Sequence, residues 1–288
     1  LTKFAIVFSA ENQTRPDSNE TSSGYEKMAI GLAYSIRACM PEVDIYCGCF
    51  TSNTLSDLAQ HHFIKLNVTL IEDLIFPEVN TKTEICLDNN LNDYYKFNGF
   101  LRNFTKDYFA KNLLVKYDYL VYTDIDVLFL KEIQFDFDPT GPMALIEPIP
   151  HWSKKLISLF TVKPLSGNLY LNWIDIINNH NKHIYDIDYQ LDEIRFDHAS
   201  DVLITNRLDQ SGLTLIEQNF GGYHCYKPPT PDITAYHYDS LGEMGTMFML
   251  ESTHPVLYKK YRLLFEKVLD IKIINQPGYW EEIRDRYS

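Results

Sequence analysis

The sequence predicts an α/β fold: a mixed sheet flanked by helices in a single large domain. Three observations lead there. Short apolar, β-branched runs alternate with helix-patterned segments from residue 1 to residue 126, as in a parallel, doubly wound half. Beyond residue 127 helices and strands mix without that order. A chain of 288 residues, 45% hydrophobic and 23% charged, can bury a core large enough for both parts.

Each element follows from its residues. Residues 3–9, KFAIVFS, form a buried-strand run, and the polar stretch ENQTRPDSNETSSG is a loop. Met28, Leu32, Ile36 and Cys39 recur at helical spacing over residues 24–39, and Pro41 punctuates. Residues 43–50 read as a second strand and 63–70 as a third. Residues 91–115 are helix-like and rich in aromatic and basic side chains; Tyr117 and Asp118 end them, and 119–123 is a short apolar strand. Turn clusters at 138–142 and 227–232 separate a strand at 166–171 and a helix at 198–208 from a last helix at 255–274. No internal repeat or low-complexity tract is present. The expected division is residues 1–133 and 134–288 as two halves of the same domain.

Composition narrows the function. A net charge of -13 argues against a surface that tracks a nucleic-acid backbone, so no nucleic-acid partner is expected. The 20 tyrosines and 17 phenylalanines suit either a cleft for polar ligands or plain core packing. Cys39, Cys47, Cys49, Cys86 and Cys225 are odd in number and contain no C-x-x-C, which reads as reduced thiols in a reducing, cytoplasmic setting. Strand alternation puts Cys47 and Cys49 on one face. The sequons at Asn12, Asn19, Asn67 and Asn103 arise readily in an Asn-rich chain. No apolar run is long enough to span a bilayer, and the opening LTKFAIVFSAENQ reads as a strand rather than a signal peptide.

The chemistry concentrates on one tripeptide. D-x-D occurs at Asp124 and Asp126, at Asp136 and Asp138, and at Asp186 and Asp188. Asp124 and Asp126 alone follow an apolar strand directly, at the carboxyl end where ligands bind in open α/β sheets. Extended-chain alternation would turn both to the same side. Like charges held between the apolar flanks LVY and VLFL call for a cation. Asp186 and Asp188 fit a helix with Ile184, Ile187, Leu191 and Ile194 on its apolar face, and Asp136 and Asp138 run into a turn. The plain structural alternative for Asp124 and Asp126 is a turn cap.

KYDYLVYTDIDVLFLKEI resembles the D-x-D segment of GT-A nucleotide-sugar glycosyltransferases, over residues 3–133 most clearly. The resemblance implies a GT-A (Rossmann-like) fold, with a nucleotide-sugar-binding first half and an acceptor-binding, metal-completing second half. It implies Mn2+ or Mg2+ between the aspartates and the donor diphosphate, with Asp126 a direct ligand and Asp124 on the metal or the donor ribose and sugar. Relatives of the glycogenin and galactosyltransferase type add a carboxyl-terminal histidine. His237 in AYHYDSLG, with Gly242 behind it, matches that position, although no K-P-W follows; His224 and His254 are rivals. Arg102 and then Lys96 match a donor-contacting base, with a surface ion pair as the alternative for each. Ser9 and Ala10 match the base and ribose contact, and Asn168 the strand lining the donor sugar. HASDVLITNRL resembles the segment opposite the anomeric carbon, which makes Asp201 the acidic residue facing that carbon or, in an inverting enzyme, the general base. Ala199 and Ser200 depart from the usual pair there, so retaining and inverting outcomes both stay open. The ordinary alternative for Asp201 is a helix N-terminal acid.

The implied activity is transfer of a sugar from a nucleotide diphosphate, UDP by preference, to a hydroxyl of a glycan or lipid-linked glycan. Two other readings stand beside it. A haloacid-dehalogenase-type phosphatase also carries D-x-D after a strand, and Asp197 and Asp201 supply a D-x-x-x-D, but that strand usually opens its domain. A non-catalytic sugar-binding protein on a GT-A fold is the other. The last helix carries Lys259, Lys260, Arg262 and Lys267 among Leu, Phe and Tyr, a pattern suited to a peripheral membrane contact or to a packed helix with a solvated face.

Overall fold

The computed structural model describes residues 3–10, 24–49, 55–71, 109, 112–113, 116–117, 119–133, 143–148, 155–156, 159–162, 214–217, 231–238 and 247–273. The expected strand at 166–171, the helix at 198–208 and most of the helix at 91–115 lie outside these residues.

A five-stranded sheet in the order β3-β2-β1-β4-β8 forms the frame. Its strands are β1 (Phe4–Ser9), β2 (Asp44–Gly48), β3 (Val68–Ile71), β4 (Tyr119–Thr123) and β8 (Leu159–Val162). The first four run parallel, with β1 between β2 and β4, and β8 closes the edge antiparallel to β4. This is the mixed α/β sheet the sequence implies. Two smaller groups accompany it. β5 (Val127–Phe129) pairs antiparallel with β10 (Ala235–His237), and β6 (Met143–Pro148) lies between β7 (Lys155–Leu156) and β9 (Thr214–Glu217).

Four α-helices have described bounds, α1 (Gly24–Cys39), α2 (Asp57–Lys65), α3 (Leu250–Thr253) and α4 (Pro255–Lys267), and a 3-10 helix covers Met247–Met249. On α1 the buried residues Met28, Leu32 and Ile36 recur at the spacing that defines one helix face. The far end of α1 is tied down by Arg37, whose guanidinium donates to the carbonyls of Leu66, Val43 and Asn67 at 2.9, 2.8 and 3.2 Å. At the near end Glu26 is buried and accepts from the N–H and the hydroxyl of Ser56 at 2.6 and 2.5 Å. Ser56 in turn caps α2, its Oγ accepting from the Ala59 N–H.

Two boundaries differ from the sequence reading. Phe63, Ile64 and Lys65 belong to α2, so the third strand starts only at Val68. The Ser56 cap and the buried set Ala59, His62, Phe63 and Leu66 impose helical spacing on that stretch. Asn67 then reverses the chain with φ 52, a left-handed conformation that asparagine tolerates. The last helix ends at Lys267 rather than 274, and Asp270 adopts φ 51 beyond it.

The core extends from Ile6 to Ile273 as one cluster, with Phe8, Phe63, Phe129, Tyr236, Tyr238, Tyr261 and Phe265 among its largest side chains. Burying each such ring contributes about 1.5–3 kcal/mol. α1 packs against β5, α2 and α4, and so joins the main sheet to the β5–β10 pair.

Candidate active site

β4 ends at Thr123, and Asp124, Ile125 and Asp126 carry the chain into β5. The tripeptide therefore lies where the chain leaves the five-stranded sheet for the two-stranded one. Ile125 and Asp126 form a turn, so the alternation of an extended strand does not place the two carboxylates. The flanks are buried as expected: Val121, Thr123, Val127, Leu128 and Phe129 are 4% exposed or less. The aspartates themselves are partly exposed.

Neighbouring strands bring further residues to this point. Val7 lies opposite Tyr122 in parallel register, so Ser9 and Ala10 leave β1 at the same end of the sheet as Asp124 leaves β4. Ser9 and Ala10 are both buried, and the Ala10 N–H donates to the Gly48 carbonyl at 3.1 Å. Cys47 and Cys49 follow on β2 with their sulfurs 4.0 Å apart, both free and buried. Burial pushes the Cys47 thiol well up, and its contact with Cys49 adds to this.

β10 approaches from the other side. His237 pairs with Val127, and the Tyr238 N–H donates to the Asp126 carbonyl at 3.0 Å. The Leu130 N–H donates to Thr234 at 2.8 Å, and the Lys131 ammonium donates to the Asp232 carbonyl. The antiparallel ladder thus sets the His237 backbone beside the D-x-D turn. The His237 side chain is not among those described. His254 sits between α3 and α4, with Nδ1 3.0 Å from the Thr253 hydroxyl, and so is not on this strand. Lys96, Arg102, Asn168, Asp201, His224 and the other two D-x-D pairs lie outside the described residues.

Three residues that belong to no motif, Ser35, Tyr261 and Tyr238, pack around β5 and the turn. The far edge of β5 would expose the backbone of Phe129. Instead the Phe129 N–H donates to Ser35 Oγ at 3.0 Å, and its carbonyl accepts from the Tyr261 hydroxyl at 2.8 Å and the Cys39 thiol at 3.4 Å. The third is Tyr238, fully buried behind the turn. Burial and then the charge of nearby Asp126 push its phenol well up, so it stays protonated there. The apolar-polar alternation of AYHY marks Tyr236 and Tyr238 as core positions. Nothing local marks Ser35 or Tyr261.

Carboxylate oxygens such as those of Asp124 and Asp126 are donors suited to Mg2+ or Mn2+. The strand pairing sets the His237 backbone opposite Val127, one residue after Asp126. Among the described side chains no group of three or more His, Cys, Asp or Glu is gathered around a common point. No helix among the described residues is long and apolar enough to cross a membrane.

The arrangement is a mixed α/β sheet flanked by helices, with an aspartate pair following one of its strands. The crystal structure of the glycosyltransferase GlyE of Streptococcus pneumoniae TIGR4 is similar over 95% of this chain and 66% of that chain, with a TM-score of 0.54 and 13% identity. Its apo form is similar over 76% of this chain and 46% of that chain, with a TM-score of 0.45 and 12% identity. The chain thus spans between about half and two thirds of the solved chains it matches. No family model and no curated protein matches the sequence.

Proposed function

We propose that this protein is a metal-dependent glycosyltransferase that moves a sugar from a nucleotide diphosphate, by preference UDP, to a hydroxyl of a glycan acceptor. One observation carries the reading: the β5–β10 register puts His237 next to an aspartate pair at the carboxyl end of a parallel strand, in a glycosyltransferase fold. Asp124, Asp126 and His237 would hold Mn2+ or Mg2+, which supplies positive charge to a diphosphate leaving group. Ser9 and Ala10, at the end of β1, would meet the base and ribose. Arg102, Lys96 and Asn168 would orient the donor. In the transfer, the bond from the anomeric carbon to the diphosphate oxygen breaks and a bond to the acceptor oxygen forms. In an inverting enzyme Asp201 takes the acceptor proton; in a retaining one it faces the anomeric carbon.

The position of the aspartates weighs against the phosphatase reading. They follow β4, the fourth strand among the described residues, not the first. The test is donor hydrolysis across UDP-, GDP- and dTDP-sugars, with and without Mn2+, on the wild type and Asp126→Ala. Metal-dependent release of one nucleotide, lost in the variant, is expected. Release of phosphate from simple phosphomonoesters would favour the phosphatase. Nucleotide and metal binding with no turnover on any donor or acceptor would favour the sugar-binding protein.

A further inference from the structure

The outer face of α4 has a pattern that catalysis does not explain. Its inner face buries Tyr258, Tyr261 and Phe265. The opposite face presents Val256, 81% exposed, Leu263, 49% exposed, and the exposed lysines Lys259, Lys260 and Lys267. At 3.6 residues per turn these five side chains fall within an arc of roughly 100°. The one acidic residue of the helix, Glu266, stands at the margin of this arc and is paired with Arg262 at 3.0 Å. A stripe with three lysines and no acid stands out on a chain of net charge -13.

We propose that this stripe docks the protein on an anionic lipid surface. Val256 and Leu263 enter the headgroup boundary, and the three lysines meet lipid phosphates. A lysine stem is long enough to lie along apolar surface while its ammonium stays at headgroup level, so the two residue types can act at different depths. The stripe is the convex face of one helix, which suits a yielding plane. The helix is also fixed to the body, through the Tyr261 hydroxyl on the Phe129 carbonyl and through Phe265 against Gly31. Docking would therefore orient the whole protein. The inference needs no enzymatic activity and can fail or hold apart from the catalytic reading.

The test is cosedimentation of the full chain with vesicles of phosphatidylcholine alone and of phosphatidylcholine mixed with phosphatidylglycerol, at low and high salt. Binding is expected only to the anionic vesicles and should weaken with salt. At about fivefold per lysine, Lys259→Gln, Lys260→Gln and Lys267→Gln together should weaken partitioning roughly a hundredfold. Val256→Ser with Leu263→Ser should weaken it while leaving the salt dependence in place. All five positions are exposed, so thermal unfolding should match the wild type in both variants. Equal binding by wild type and the triple glutamine variant would overturn the proposal, as would no preference for anionic vesicles. A dimer in sedimentation equilibrium that Val256→Ser with Leu263→Ser converts to monomer would assign the stripe to a second copy of the chain instead.

Discussion

Substituting Gly31 by alanine sets two effects of opposite sign against each other. In an exposed helix the change would stabilise by about 1 kcal/mol, because glycine loses more backbone freedom. Here α1 meets α4 at this residue. A Cβ on Gly31 would overlap Phe265 Cζ and lie 2.7 Å from Cε1 and 3.1 Å from Cε2. Carbon atoms pack best at about 3.5–4.0 Å, so the ring has to move. It has little room: Phe265 is fully buried, and the Tyr238 ring packs edge-on against it at a centroid distance of 6.4 Å. Overpacking of this kind costs about 1–3 kcal/mol, and displacing a buried ring costs a similar amount. After the helix gain of about 1 kcal/mol is subtracted from the two costs, Gly31→Ala should destabilise by about 1–5 kcal/mol, which lowers the melting midpoint by about 2 °C per kcal/mol in a chain this long. Urea unfolding of the wild type, Gly31→Ala, Phe265→Leu and the double variant would measure it. The shorter leucine should recover much of the loss, with a favourable coupling of about 1 kcal/mol. A stabilised Gly31→Ala, or additive single and double variants, would refute this account of the α1–α4 contact.

Two other outcomes follow from the structure. Ser35→Ala removes the acceptor for the buried Phe129 N–H and should cost about 1–3 kcal/mol; Ser35→Thr keeps the hydroxyl and should cost less, and urea midpoints decide between them. His62 is buried with Nδ1 3.1 Å from the Tyr34 hydroxyl, and burial, then His61 and Lys65, lower its pKa. Its folded value lies below its unfolded value of about 6.5, so the unfolded state binds the extra proton. The contribution is complete above about pH 6.5 and declines as the pH falls below it. The melting midpoint should therefore drop more between pH 7.5 and 5.5 in the wild type than in His62→Gln; parallel profiles would exclude His62 as the cause.

Legibility in the sequence tracked how local each signal was. α1 was readable to the residue because Met28, Leu32 and Ile36 repeat on one face and Pro41 stops the pattern. The strand before the aspartates was equally plain, and the α/β class followed from the alternation. Phe63 and Ile64 misled because an apolar, β-branched run suits either state; the deciding signal was the Ser56 cap about two turns upstream. The end of α4 was missed because Asp270, not a glycine, takes the left-handed position. At the candidate site, the aspartates announced themselves through spacing and flanks. The strand that sets His237 beside them was chosen by resemblance, since pairing between residues 127 and 237 leaves no local trace. Ser35 and Tyr261 were invisible for the same reason. Their partner is the backbone of Phe129, and a backbone group carries no residue type.

The β5–β10 pairing also sets an order of events during synthesis. β10 begins at Ala235, which is 109 residues (235 minus 126) after Asp126. At about 5–20 residues per second, the ribosome needs roughly 5–20 s to reach it. Through that interval β1, β2, β3 and β4 are already available to pair, while the aspartate turn has no partner strand. A nascent chain halted before Ala235 would present both carboxylates without the ladder that holds the Asp126 carbonyl. The β5–β10 ladder should therefore form late in translation, well after the parallel sheet.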